Sequence, residues 1–277
     1  MTSTPTSLPL IPDPVFPTRE GVTHIVRVRL PDGPRFARVD GARLVPLSDA
    51  PWRGGVPHGD AFPLRGAAWL PPCEPTKIVC IGVNYADHAK ESVSRTSLPD
   101  EPVLFMKPPS ALLAHGEAIR LPAGVGRVDH EAELAIVIGR TVQRAGPEEA
   151  RAAIAGVTCV NDVSARLLQK KDGQFTRAKG FDTFCPIGPG IAMGLDPADL
   201  AVIARVNGQE RQHGRSRDLA CGAVDLVCYV SNVMTLVPGD VISTGTPAGV
   251  GPIVPGDRVE VEVEGVGTLA NSVIERM

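Results

Sequence analysis

The chain has 277 residues, of which 43% are hydrophobic, and its formal net charge is −3 at pH 7. This length allows one large domain or two smaller ones with a substantial buried core. The small negative charge, without long lysine or arginine runs or an uninterrupted apolar stretch of about 18 residues, argues against nucleic-acid and membrane partners and for a small metabolite.

Two features of the sequence indicate a cytoplasmic protein. Residues 1–20 are rich in proline and have no Lys or Arg before Arg19, so we expect an extended arm and not a secretion signal. The six cysteines are far apart and include no C-x-x-C pair. Free thiols in a reducing compartment explain this spacing better than a disulfide or zinc framework.

Residues 21–72 are predicted to form a small N-terminal β subdomain. Residues 23–30 and shorter runs near Phe36 and Leu44 alternate apolar with polar side chains between Gly and Pro turns, as in an antiparallel sheet. Residues 70–76 contain three prolines, which neither a sheet interior nor a helix core accommodates. This stretch predicts a linker, and a second domain would cover residues 77–277.

Short strands dominate the second domain. They are predicted at residues 78–81, 103–106, 134–138, 202–206, 241–244 and 259–263. A helix beginning at Pro147 has proline at its first position, acids in its first turn and Gly156 as its predicted end. A second helix, from Ser216 to about Leu236, has apolar residues at helical spacing. The mixture predicts a β-rich α+β fold and not an alternating βαβ fold.

The segment His88-Ala89-Lys90-Glu91 is a candidate acid–base site. In a short helix, His88 and Glu91 would meet at i and i+3. A carboxylate beside an imidazole orients it and raises its basicity, so that His88 could deprotonate a water. The alternative is a surface or capping histidine.

The run Asp129-His130-Glu131-Ala132-Glu133 precedes the apolar residues 134–138. Alternate residues of a strand share a face, so Glu131 and Glu133 would point the same way, with Asp129 at the rim. Clustered carboxylates in a poorly hydrated site are costly unless a cation neutralises them, and hard divalent cations prefer oxygen ligands. The run predicts a metal site; the alternative is a pair of surface acids at a strand end.

Five motifs in this order resemble the fumarylacetoacetate hydrolase family. They are IGVNYADH at 81–88, DHEAEL at 129–134, NDVSAR at 161–166, AKGFDT at 178–183 and TGTPAGVG at 244–251. The resemblance covers about residues 77–277 and implies the β-roll catalytic domain of the family. Known members use Mg²⁺ or Mn²⁺ on 2-oxo and 2,4-dioxo acids, and they are usually homodimers. In relatives a matching His-x-x-Glu pair lies on a segment that orders when substrate binds, and residues 91–100, rich in serine and closed by Pro99, could form that lid.

The resemblance also implies roles for individual residues. Those implied are Glu131, Glu133 and Asp162 as metal ligands, His88, Glu91 and Lys179 in catalysis, and Lys107, Arg166, Gln169, Gly245 and Thr246 in substrate binding. Lys179 would stabilise an enolate, and Thr246 with the amides of its glycine-rich loop would hold a substrate carboxylate. Taken alone, Asp162 could be a helix N-cap, and the loop could be an ordinary turn. Many members have Asp where this chain has Leu167, which leaves the choice of substrate open.

The expected reaction is hydrolysis of a C–C bond in a 2,4-dioxo acid of the acylpyruvate or fumarylpyruvate type, giving pyruvate and a carboxylic acid. The same enolate chemistry also allows decarboxylation of oxaloacetate and isomerisation or decarboxylation of 2-hydroxyhepta-2,4-diene-1,7-dioate. A binding protein without chemistry would be expected to lack His88, Glu91 or Lys179. A thiol enzyme would need a cysteine beside a histidine motif, and the sequence has none so placed.

Overall fold

The computed structural model describes residues 11–91 and 97–276. Its strands, in chain order, are β1 (Thr23–Leu30), β2 (Gly33–Asp40), β3 (Arg43–Pro46), β4 (Phe62–Pro63), β5 (Trp69–Leu70), β6 (Ile78–Gly82), β7 (Val103–Lys107), β8 (Leu112–Leu113), β9 (Ala118–Leu121), β10 (Val128–His130), β11 (Ala132–Ile138), β12 (Ile154–Asn161), β13 (Ser164–Ala165), β14 (Cys185–Met193), β15 (Ala201–Val206), β16 (Gln209–Arg215), β17 (Val241–Ser243), β18 (Gly251–Pro252), β19 (Arg258–Val263) and β20 (Gly267–Glu275). The α-helices are α1 (Ala86–Glu91), α2 (Pro147–Ala153), α3 (Arg166–Asp172), α4 (Thr176–Lys179) and α5 (Ala223–Val233).

Three sheets build the molecule. The largest has twelve strands in the order β4-β3-β2-β1-β14-β12-β11-β17-β6-β7, with β5 beside β1 and β8 beside β14. A second sheet has the order β16-β15-β19-β20-β9, and a small third sheet has the order β13-β10-β18. This strand-rich architecture confirms the predicted β-rich α+β class. Within the described ranges, no helix is both long and apolar enough to cross a membrane.

Strand β11 lies at the centre of the core, between β12 and β17. All seven of its residues are buried. Leu134 packs in a cluster with Val202 and Val261 of the second sheet, whereas Val137 packs in a separate cluster with Ile187. An apolar run is what a strand covered on both faces requires. The site described below begins at the N-terminal end of this strand.

The strands predicted between residues 77 and 277 are all present, with bounds shifted by no more than two residues. The helix from Pro147 was predicted too long, because it ends at Ala153 and not at Gly156. Ile154 is already extended and begins β12. Gly156 lies inside that strand, where a Cβ atom would come within 2.5 Å of the Ala192 carbonyl oxygen on β14. Its role is therefore close packing between strands.

The predicted helix at 216–236 was also too long, since α5 covers only Ala223–Val233. Residues 216–218 form a single 3-10 turn. The chain after that turn is held by Asn84, which accepts hydrogen bonds from the backbone N–H groups of Ala220 (to its carbonyl, 2.8 Å) and Cys221 (to its side chain, 2.9 Å). These tertiary contacts keep the segment out of the helix.

The N-terminal strands do not form a sheet of their own. β1 pairs with β2 on one side and with β14 on the other, where Ile25 lies opposite Ile191. The main sheet therefore runs through both predicted domains, and the boundary between them stays a prediction. Residues 1–10 of the predicted arm lie outside the described residues. In the part of the arm that the structure describes, the Phe16 ring packs beside the Trp69 ring.

Candidate active site

The structure brings three acids together. Two of them are two residues apart in the sequence, and the third lies much further along the chain. Carboxylate oxygens of Glu131, Glu133 and Asp162 lie within 4.8 Å of one another, and all three residues are buried. Ala132 pairs with Asn161 across β11 and β12, so the residues flanking this pair reach the same end of the sheet. The Asp162 N–H donates to the Glu131 carbonyl at 2.9 Å. Asp162 is not a helix N-cap, because α3 begins at Arg166.

Three cations contact two of these acids. Lys179 Nζ lies 2.8 Å from Glu131 Oε2 and 2.6 Å from Asp162 Oδ2. Lys107 Nζ contacts Asp162 Oδ1 at 2.5 Å, and Arg166 Nη2 contacts Glu131 Oε1 at 2.5 Å. Burial tends to raise the pKa of Glu131, but Arg166 and Lys179 outweigh it and hold this pKa well below its usual value. Glu131 is therefore ionised, and positively charged side chains contact both Glu131 and Asp162.

Glu133 differs from the other two acids, because within the described part of the chain it has no ion pair. Its Oε2 accepts hydrogen bonds from Ser243 Oγ at 2.5 Å and from the Gly245 N–H at 2.9 Å. Burial, followed by the charges of Asp162 and Glu131, raises the pKa of Glu133 to about 8. An additional cation at this point would stabilise the ionised form.

The space beside the acids fits a small hard ion. A cavity of about 30 Å³ is lined by the three acids together with His88, Lys179 and other residues, which is about the volume that one water molecule takes up in the liquid. The donors are all carboxylate oxygens, the ligands that Mg²⁺ and chemically similar Mn²⁺ prefer. The residues present therefore fit a divalent cation.

Helix α1 places His88 on the wall of this cavity. His88 is 7% exposed, and its Nδ1 atom is buried without a hydrogen-bond partner among residues 11–91 and 97–276. Burial lowers the pKa of His88, and the charges of Arg166 and Lys179 lower it further against the effect of Glu131. His88 is consequently a neutral imidazole at pH 7, able to accept a proton.

Glu91 is not the hydrogen-bond partner that we expected for His88. Its Oε2 accepts from the Gly249 N–H at 2.8 Å, because the last residue of α1 faces the glycine-rich loop. Glu91 raises the His88 pKa electrostatically, but less than burial lowers it. The central residues of the predicted lid, 92–96, lie outside the described residues.

Asp129 is more deeply placed than the rim position we expected. It is 1% exposed and receives hydrogen bonds from Arg127 Nε at 2.7 Å and Arg166 Nε at 2.8 Å. It belongs to β10, which pairs with β13 and β18 and not with the main sheet. Arg166 also donates to Gln169, which lines the cavity with it. Asp129 thus orients Arg166 and does not join the acid cluster.

The glycine-rich loop closes the cavity at Thr246. The Thr246 hydroxyl donates to the Ala132 carbonyl at 2.8 Å, and the Gly245 N–H is bonded to Glu133. Gly245 has a φ of +100°, and a Cβ atom there would lie 2.9 Å from Asn84 Cβ. The Thr246 hydroxyl and the Gly245 N–H thus position the acids in this arrangement. Their contact with a substrate carboxylate stays a prediction.

Sequence reasoning missed Gln212, which lies on β16 of the second sheet. Its Oε1 accepts from the Ala132 N–H at 2.9 Å and lies 3.0 Å from His130 Nδ1. Its Nε2 donates to Thr246 Oγ1 at 2.7 Å and to the Pro247 carbonyl at 2.8 Å. No local pattern marks this residue, because its strand is polar along its length.

The pKa of every cysteine is raised above its usual value, chiefly by burial. All six are free thiols, as the sequence predicted, and four of them are buried. Burial raises the pKa of Cys159 and Cys185 to about 12. Such thiols stay protonated at neutral pH, whereas a nucleophilic cysteine needs a lowered pKa.

Two family models and several known proteins match this chain. The family model "Fumarylacetoacetate (FAA) hydrolase C-terminal" matches residues 77–274, and the model "Rv2993c-like, N-terminal" matches residues 23–72. Oxaloacetate tautomerase YcgM of Escherichia coli is 42% identical over 197 residues, which are 69% of this chain and 89% of that protein.

Two solved structures show how far the similarity extends. The 2-hydroxyhepta-2,4-diene-1,7-dioate isomerase from Mycobacterium marinum has a TM-score of 0.85 and 42% identity, covering 92% of this chain and 99% of that one. The maleylpyruvate hydrolase from Sphingobium sp. SYK-6, solved with manganese(II) and pyruvate, has a TM-score of 0.75 and 31% identity, covering 91% and 100%. The similarity thus includes enzymes named for different reactions.

Proposed function

The chain belongs to the fumarylacetoacetate hydrolase family, and from this premise we propose that it is a divalent-metal-dependent enzyme that catalyses keto–enol tautomerisation of oxaloacetate. Tautomerisation moves one proton between the carbon next to the 2-oxo group and the oxygen of that group. It needs one group that changes protonation state near pH 7 and positive charge near the oxygen. The relative from E. coli carries this activity in its name.

The observation that carries the proposal is the state of His88. This neutral imidazole lines the same small cavity as the acid cluster and has no carboxylate hydrogen-bonded to it in the described structure. A single unpaired imidazole suits a proton shuttle, which takes a proton from carbon and returns one to the substrate. Activation of water for hydrolysis would make more use of a carboxylate bound to His88.

The ion would be held by Glu131, Glu133 and Asp162, and when bound it supplies Lewis-acid polarisation of the 2-oxo group. Lys179 holds a positive charge beside Glu131 and Asp162; although burial tends to lower its pKa, these two carboxylates raise it. Lys179 can therefore stabilise negative charge on the enolate oxygen. Arg166, oriented by Asp129, keeps Glu131 ionised, and His88 exchanges the proton.

Hydrolysis of an acylpyruvate, which the sequence led us to expect, is the second candidate. It is supported by the similarity to the maleylpyruvate hydrolase and by the presence of Glu91 one helical turn from His88. It ranks second because Glu91 is bonded to Gly249 and not to His88. Isomerisation and decarboxylation share the enolate and would use the same residues.

Four substrates tested in parallel decide between these reactions. Mg²⁺- and Mn²⁺-loaded protein is incubated with the enol form of oxaloacetate, with acetylpyruvate, with maleylpyruvate and with 2-hydroxyhepta-2,4-diene-1,7-dioate. We expect the enol absorbance of oxaloacetate to decay faster than it does without the protein, and no pyruvate to be released. After EDTA treatment the protein should no longer accelerate this decay. Pyruvate release from acetylpyruvate or maleylpyruvate, with no acceleration of tautomerisation, would establish the hydrolase instead.

A further inference from the structure

We propose that Lys170 binds the distal carboxylate of the substrate and so selects dicarboxylic 2-oxo acids. The inference rests on the proposed function and deepens it, because it assigns the substrate class to a residue outside the acid cluster. Lys170 lies on α3, next to Gln169 in the chain. It contacts none of the three acids that would hold the ion.

The first step is the size of the central cavity. Its volume of about 30 Å³ accommodates an ion or a water but not a whole oxo acid. A substrate whose 2-oxo carboxylate end is at the acids must therefore extend into neighbouring space. Two larger cavities share wall residues with the central one, with volumes of about 640 and 300 Å³.

The larger cavity adjoins the centre at Phe105, Gln169 and Phe175, which line both. The two phenylalanine rings meet edge to face, with their centroids 5.2 Å apart. Most of the remaining wall is aliphatic or amide, including Met106 and Gln174. Among the described residues that line this cavity, Lys170 is the only charged one.

The smaller cavity adjoins the centre at His88 and Arg166 and contains more charge. Its two arginines are already used: Arg127 and Arg166 both bind Asp129, and Arg166 also binds Glu131. Lys170 lines this cavity too. It has no ion pair within 4.0 Å in the part of the chain that the structure describes.

The helix explains why Lys170 faces this region. Residues at i, i+3 and i+4 share one face of a helix, so Arg166, Gln169 and Lys170 point toward the same side. Arg166 and Gln169 line the central cavity, and Lys170 extends the face outward to both larger cavities. Whichever cavity receives the distal end of the substrate, Lys170 is the unpaired cation that it meets.

Two ligands of equal length test the assignment. 2-Oxoglutarate and 2-oxopentanoate share the 2-oxo carboxylate end and differ in the distal carboxylate. Their dissociation constants are measured by calorimetry on Mg²⁺-loaded protein. Lys170 is exposed to solvent, where an ion pair contributes modestly. We expect the wild type to prefer 2-oxoglutarate and K170M to weaken its binding about 2- to 5-fold, since this charge-assisted contact is lost. Binding of 2-oxopentanoate should change less than about twofold.

Two further variants control for charge and folding. K170R should keep most of the preference. K171M changes the adjacent lysine, which is equally exposed but lies outside both cavity walls, and should behave as the wild type. If K170M weakened the binding of both ligands equally, or if the wild type bound both with equal affinity, the role of Lys170 would be overturned but the proposed function would not. Failure of the wild type to bind either ligand with Mg²⁺ would likewise overturn the role of Lys170. The proposed function is overturned separately, if the same protein does not accelerate the tautomerisation of oxaloacetate.

Discussion

Glu133 is the residue on which the affinity for an ion depends most directly. Lysine and arginine side chains balance Glu131 and Asp162, whereas Glu133 relies on a hydroxyl and an amide. Its raised pKa means that the metal-free protein binds a proton here over most of the physiological range. A divalent ion must displace this proton, so metal binding and protonation compete.

The affinity for Mg²⁺ should therefore increase with pH. We expect the association constant to rise about tenfold per pH unit toward pH 8 and to level off above it, because only ionised Glu133 is a ligand. E133Q should lower the affinity by more than the roughly 10- to 100-fold typical of residues that only orient a ligand. Calorimetry with Mg²⁺ and Mn²⁺ measures both effects, with E210Q as a surface control. An affinity independent of pH between 6 and 8 would contradict this prediction.

His88 provides the second prediction at this scale. The active form is neutral and its pKa is lowered below 6.5, so kcat/KM should fall as the pH drops through a midpoint below 6.5. H88Q should reduce kcat about 10²- to 10⁴-fold, the usual contribution of a general acid–base residue. Mg²⁺ affinity should be unchanged in this variant. If H88Q kept the wild-type kcat, another group would have to carry the proton.

At the scale of elements, the edge of β11 is completed by side chains. β17 pairs with β11 only opposite residues 135–137, so the strand edge at Ala132 lacks a backbone neighbour from β17. Gln212 accepts from the Ala132 N–H, and the Thr246 hydroxyl donates to the Ala132 carbonyl. Since Ala132 separates Glu131 from Glu133, these bonds position both acids relative to the glycine-rich loop.

Replacing Gln212 with leucine should show this coupling. Q212L removes the hydrogen-bond partner of the buried Ala132 N–H and of the Pro247 carbonyl. Each buried polar group left without a partner costs about 1–3 kcal/mol of unfolding free energy. We also expect a weaker Mg²⁺ affinity and a higher KM. Urea unfolding and steady-state kinetics measure these changes, and Q209L, at an exposed position of the same strand, is the control. Equal behaviour of the two variants would show that Gln212 does not position the site.

At the scale of the whole molecule, the N-terminal strands stabilise the rest of the main sheet. β1 covers the edge of β14, and the Ile25 side chain lies opposite Ile191. A chain beginning at Lys77 would expose this edge, and exposed apolar edge strands lead to aggregation. We expect the truncated protein to have a lower melting temperature and to aggregate in light scattering. A soluble, fully active truncated protein would instead mark residues 77–277 as an independent domain.

We also propose that the protein is a homodimer, as members of the family usually are. Sedimentation equilibrium should give a molar mass twice that of one chain, independent of Mg²⁺. A single-chain mass at micromolar concentration would exclude this proposal. Met106, Leu167 and Val233 have exposed apolar side chains, and spin labels attached at these positions could map any interface.

The sequence alone determined those features that depend on neighbouring residues. Strands followed from alternation and apolar runs, because burial on one or two faces imposes a period on the chain. The spacing of Glu131 and Glu133 indicated clustered acids, and the five motifs indicated the family. Each of these signals lies within about ten consecutive residues.

Only the tertiary structure decided which distant groups meet. Pairing of β11 with β12 brings Asp162 beside Glu131, and neutralisation by Lys179 leaves Glu133 as the acid without a cation. The hydrogen bond of Glu91 to Gly249 and the contacts of Gln212 from the second sheet have no local signal either. The reason is physical: pKa values and hydrogen bonds depend on distances of a few ångströms between residues that packing, and not chain order, brings together.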